Sequence, residues 1–193
     1  MKKIWIPVLL AAEEVVGGAV ERREPDIIVF MHNCSQPQVI IAVAKGQAQR
    51  MLETVGISVA WGLGKSNYHG PAEVIEAVLT EWRPDGFRPG ALAFAMLGQE
   101  SGTRIEIFYN RVRASPRDSS AVPLVLAHVL VHEITHILEG VQRHSESGMM
   151  KAHWDISDYA RMGHGHLPFA AEDIRLIHEW RARHNQPLVA GLR

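Results

Sequence analysis

The chain has 193 residues, one cysteine and a formal net charge of −1, with 47% apolar and 21% charged residues. That length and apolar content suffice for one globular domain with a sizeable core. The single thiol, Cys34, excludes an intrachain disulfide and a multi-thiolate structural zinc site, and the near-neutral charge points to neither a basic nucleic-acid stripe nor a polybasic membrane anchor.

Residues 1–25 read as an N-terminal extension. Lys2-Lys3 followed by a short apolar run and the small residues Gly17-Gly18-Ala19 resembles a secretory signal, implying a secreted or periplasmic protein. Glu13-Glu14 interrupt the pattern, and a short apolar strand or helix of a cytoplasmic chain reads equally well. No uninterrupted apolar run reaches the roughly 18 residues of a spanning helix, so no stable membrane span is expected.

The β-rich run 26–32 predicts a first strand. Over 39–55, Ile40, Val43, Ala44, Ala48, Met51, Leu52 and Val55 recur at helical spacing, with Gly56 where a helix-ending glycine belongs. Residues 57–61 read as a second strand, and 73–82 suit either a helix by spacing or a strand by content. After a loop at 83–90, the apolar run 91–97 and the mostly alternating run 103–112 predict a hairpin across 98–102. Pro123 opens the strongest helix of the chain, which Gly140 ends. Residues 148–165 look irregular, and a last helix is expected over 171–183.

Histidine is the unusual count: eleven, nine of them after residue 127. Composition does not separate ligands from surface histidines, but spacing does. Residues four apart share a helix face, so His132 and His136 can aim two imidazoles at one ion. Glu133, beside the first ligand, can reach water at that ion without ligating it. A chance H-E-x-x-H is expected about 0.05 times in a shuffled chain of this composition, and this one sits inside a helix, as the chemistry requires. His128 shares the face but cannot join His136 on one ion, because eight residues span roughly 12 Å of helix axis; it reads as a buried or supporting histidine. A catalytic zinc site needs a third ligand, and a chain turned back at Gly140 would bring His144 toward the ion.

This order of helix-borne His132-Glu133-Ile134-Thr135-His136, helix-breaking Gly140, His144 and then Met149-Met150 resembles the metzincin family of zinc peptidases, whose pattern is H-E-x-x-H-x-x-G-x-x-H followed by a methionine turn. The spacing departs from that pattern. Gly140 stands four rather than three residues after His136, and His144 eight rather than six. The resemblance implies that His132, His136 and His144 hold the metal and that Met149 or Met150, with Met150 favoured, forms the apolar floor beneath it. Rival third ligands are His153, Asp155, Asp158, His164 and His166, or Glu172, which would make the site resemble the gluzincins.

The resemblance also implies an α+β fold, an α/β/α sandwich in which a mixed sheet and two long helices precede a small C-terminal lobe with one helix. A single catalytic domain is expected over 26–193, its upper part ending near 140 and its lobe covering 141–193. The run 91–97 is the candidate sheet-edge strand for an extended substrate, or a plain core strand. His153 and Tyr159 are candidates for contacting substrate or stabilising an oxyanion; packed or exposed side chains are the plainer reading of both. Trp154 reads as a core anchor of the lobe. The expected function is a Zn2+-dependent peptidase hydrolysing peptide bonds through a metal-activated water, with Glu133 as general base. The alternatives are a zinc hydrolase of a non-peptide amide and a catalytically silent metal-binding module. The expected partner is a peptide or protein substrate, with no nucleic acid.

Overall fold

The computed structural model describes residues 24–32, 37–63, 68–81, 90–96 and 103–184. The signal-like N-terminal run, Cys34, the loop at 83–89 and the turn at 98–102 lie outside the described residues.

β1 (Ile27–His32) buries alternate residues, with Ile27, Val29 and Met31 at or near zero exposure. Helix α1 (Gln38–Thr54) then carries the chain to β2 (Val59–Leu63), which lies parallel beside β1, the kind of crossover that parallel neighbours require. The segment that suited both helix and strand is β3 (Glu73–Thr80). It pairs in parallel with β1 on one edge and β5 on the other, and Val74, Ile75, Val78 and Thr80 suit that central, doubly bonded position. β4 (Ala93–Met96) and β5 (Thr103–Phe108) form the expected antiparallel pair, with Ala93 opposite Ile107. The mixed five-stranded sheet has the order β2-β1-β3-β5-β4, with β4 at its edge.

β5 ends at Phe108, sooner than the alternation to residue 112 suggested, and Tyr109–Ala114 forms the short helix α2. Tyr109 and Val112, three apart, are both buried. That spacing of three marks a helix, and alternation by two stops at Phe108.

After a single 3-10 turn at Ser119–Ala121, α3 (Val122–Glu139) runs through the interior. Ser119–Glu139 is long and apolar enough to cross a membrane, yet most of it is buried inside the protein; a mostly apolar helix suits a core position. Inward residues of β1, β3 and β5 join α1 and α3 in one hydrophobic cluster. The two long helices pack against each other.

Beyond α3, a short helix, α4 (Ile156–Met162), interrupts the stretch that read as irregular, and α5 (Ala171–His184) is the expected last helix. Asp155 starts α4 with a reciprocal cap: its carboxylate accepts from the Asp158 N–H at 3.2 Å, and Asp158 accepts from the Asp155 N–H at 3.0 Å. The far end of α5 is tied to the sheet by Arg181, 3.4 Å from Asp26, whose other oxygen accepts from the Ser58 N–H at 2.8 Å where β2 approaches β1.

Candidate metal centre

One helical turn separates His132 from His136, and both are buried within α3. Their ring centroids lie 4.8 Å apart, and His144 stands 5.4 Å from His132 and 4.9 Å from His136 by the same measure. One ring nitrogen from each of the three falls within 4.8 Å of the others, so His132, His136 and His144 form a group that could hold a metal ion. The two helical histidines are nearly covered, whereas His144 is exposed. The centre is thus walled by helix on one side and open to solvent on the other.

Backbone carbonyls set the tautomers. Nδ1 of His132 donates to the Met149 carbonyl at 2.9 Å, and Nδ1 of His136 to the Val141 carbonyl at 3.3 Å. With those protons on Nδ1, both Nε2 atoms carry lone pairs. They face each other at 3.1 Å. Two nitrogens bound to one tetrahedral zinc at 2.0–2.1 Å stand roughly 3.3 Å apart. Two lone pairs aimed at one point repel unless a cation lies between them, so the donor set and its spacing both fit a zinc-sized ion. Burial, then the neighbouring imidazoles, pushes the pKa of both helical histidines well below the ordinary value, which keeps them neutral and able to ligate.

Glu133 is buried beside them. Burial pushes its pKa up to about 8, and a hydrogen bond from the Ala95 backbone on β4 opposes the shift. The carboxylate therefore reaches the edge strand of the sheet from the helix that carries the imidazoles. A dication in the three-histidine group would favour its charged form.

The turn at 148–150 touches the centre through the Met149 carbonyl that holds the His132 ring. Met149 and Met150 are both fully buried. The Met149 N–H donates to the Pro168 carbonyl at 2.8 Å, and the Met150 carbonyl accepts from the Ser145 N–H at 2.7 Å. Gly148 has φ +80°, and a Cβ there would sit 2.2 Å from the Pro168 oxygen, so only glycine fits. Sequence reasoning passed over Gly148, although a glycine directly before the paired methionines was its signal.

Trp154 is half-buried and stands edge-on to both His132 and His128, with centroids 5.4 and 6.2 Å away, while its indole N–H donates to the Gly148 carbonyl at 3.3 Å. The expected lobe anchor is thus also a wall of the centre. His128 is 1% exposed and fully occupied: Nδ1 donates to the Leu124 carbonyl at 2.7 Å, and Nε2 accepts from the Leu167 N–H at 3.2 Å. Its role is to fasten the C-terminal segment to α3.

The rival ligands go elsewhere. His153 and His164 are exposed outside the group. Asp155 caps α4, and Asp158 lies between Lys151 at 2.6 Å and Arg161 at 3.0 Å. His166 meets Gln47 at 2.9 Å, and Glu172 pairs with Arg175 at 2.7 Å. Tyr159 is half-buried and packs on the core. Three residues that sequence reasoning did not single out, Arg143, Ser145 and Asp173, interlock around His144. No protein-family model matches this chain, and no curated protein matches it either.

Proposed function

We propose that the chain is a zinc-dependent peptidase built on a metzincin-like plan, with His132, His136 and His144 holding the ion and Glu133 acting as general base. The observation that carries this reading is the convergence of three imidazoles, two with lone pairs 3.1 Å apart, beside a buried carboxylate on the same helix. Imidazole also suits copper, nickel and iron; the adjoining glutamate on a helix favours hydrolytic zinc. Zinc bound there would supply Lewis acidity, polarising an acyl carbonyl and making water easier to deprotonate.

The remaining steps fall to the chain. Glu133, in the charged form that a dication beside it would favour, accepts the proton from the attacking water and returns it to the departing amine. Ala95, whose backbone meets Glu133, belongs to the last strand of the sheet. An extended peptide added to that edge would lie alongside the carboxylate. The exposed side of the centre, at His144, gives it a way in.

The test is zinc content together with casein hydrolysis, for wild type and Glu133→Ala. The reading requires about one zinc per chain in both proteins and hydrolysis in the wild type alone. Zinc without cleavage of any peptide would sink the peptidase reading and leave a non-peptide amide substrate or a metal-holding module.

A further inference from the structure

His144 is the one member of the group that no helix holds. It sits in a loop, exposed, between Arg143 and Ser145. Both neighbours are tied to the same buried carboxylate. Arg143 donates through Nη2 to Asp173 Oδ1, and the Ser145 hydroxyl donates to the same oxygen at 3.0 Å. The other oxygen of Asp173 accepts from the Ala170 N–H at 2.8 Å, which fixes the carboxylate to the residue just before α5. On its second side, Arg143 stands 3.6 Å from Glu139, the last residue of α3, whose side chain is fully buried. The guanidinium thus bridges the end of the motif helix and the start of the last helix, and the backbone between its two anchored neighbours is the backbone of His144.

We infer that Asp173, acting through Arg143 and Ser145, is a positioning residue for the third metal ligand. The inference rests on the three-histidine reading of the centre. It also accounts for the unusual spacing. A return loop longer than the metzincin pattern has more conformations in which His144 misses the ion, and anchoring the residue on each side removes most of them. A charge-assisted pair with a planar guanidinium is suited to this, because it fixes direction as well as distance. Asp173 touches neither metal nor substrate in this role; it sets where His144 points.

The experiment is zinc affinity, measured by competition with a chromophoric chelator, alongside thermal melting of the metal-free protein. Wild type, His144→Ala, Asp173→Asn, Ser145→Ala, Arg143→Lys and Glu172→Gln are compared. Asp173→Asn is expected to weaken zinc binding about 10- to 100-fold, the range typical of residues that orient a ligand from outside. Arg143→Lys, keeping the charge but losing the planar fork, and Ser145→Ala, losing one bond, should each fall between wild type and Asp173→Asn. Glu172→Gln, exposed beside Asp173 and paired with Arg175, should match wild type. Should Asp173→Asn not fold, the Ser145 and Arg143 variants decide the matter alone. The inference is overturned if these variants lower the metal-free melting temperature yet bind zinc as wild type does while His144→Ala does not. A wild type that binds no zinc would instead overturn the metal reading beneath it.

Discussion

The two sides of the candidate metal centre are built by different physics. His132 and His136 ride on α3, where hydrogen bonding and core packing fix the backbone before any metal arrives. His144 hangs from an exposed loop whose flanking residues, Arg143 and Ser145, meet buried carboxyl groups at the end of α3 and in the first turn of α5. The helical pair lies under cover and its lone pairs already converge; the loop ligand faces solvent. A candidate ligand set can thus combine a preformed half with a half assembled by tertiary contacts, and the two halves should fail differently.

The largest effect should come from removing the ligands themselves. His136→Ala takes away a buried donor from a spot where water cannot readily replace it, whereas His144→Ala leaves an open position that solvent can fill. Both should weaken zinc binding by more than the about 100-fold ceiling of an outer residue, with the helical variant the weaker binder. Isothermal titration of the two proteins checks this. Equal losses would dissolve the distinction between the halves, and an unchanged His144→Ala would remove it from the ligand set.

Next comes Gly148, which tests whether the helical half stands by itself. An alanine there must relieve a Cβ 2.2 Å from the Pro168 oxygen and adopt φ +80°. The expected cost is about 3 kcal/mol in denaturant unfolding. Because the next residue supplies the carbonyl that holds the His132 ring, zinc affinity should fall as well, by about tenfold. Lost stability with undiminished affinity would mean that α3 alone orients His132.

How much of this was legible follows from which contacts are local. The motif on α3 could be read because its geometry depends on spacing within one helix. Gly140 could be placed because helix termination is also local. The choice of strand for Glu73–Thr80 was not legible: its periodicity suited a helix, and only pairing with β1 and β5 decided it. Likewise Tyr109 reads as one more alternating residue until the fold turns it into α2. Asp173 lies 30 residues from Arg143 and looks like any acidic residue in the first turn of a helix. Its contact with the loop exists only in three dimensions, so nothing in the sequence distinguished it from its neighbour Glu172, which is exposed and paired on the surface.

A pH titration probes the fastening between the halves. His128 binds the C-terminal segment in its neutral form, and burial drives its pKa from the usual 6.5 to about 4. The unfolded chain therefore takes up this proton first as pH falls. The contribution of His128 is complete above pH 6.5, declines as pH drops toward 4, and changes no further below that. A shift of this size corresponds to roughly 3 kcal/mol at the acid end. Chemical denaturation of wild type and His128→Gln across that range should give curves that converge on acidification. Parallel curves would mean that His128 does not hold its proton-free form in the fold.

Gly140 should give the smallest effect, and it bears most directly on how the loop half is held. Like Gly148 it has positive φ, +67°, but a Cβ there would meet nothing within 4 Å. Only the backbone preference opposes a side chain, so Gly140→Ala should cost about 1 kcal/mol of stability, and Gly140→Asn less, since asparagine tolerates the left-handed region better. If the charged contacts at Arg143 and Asp173 position His144, a helix end that is strained but still formed leaves them intact, and zinc affinity should stay within about twofold of wild type, well short of the tenfold loss that marks an orienting residue. If affinity instead falls as far as in Asp173→Asn, the direction in which the chain leaves α3 sets the third ligand, and the loop half is governed by the same helix as the other two.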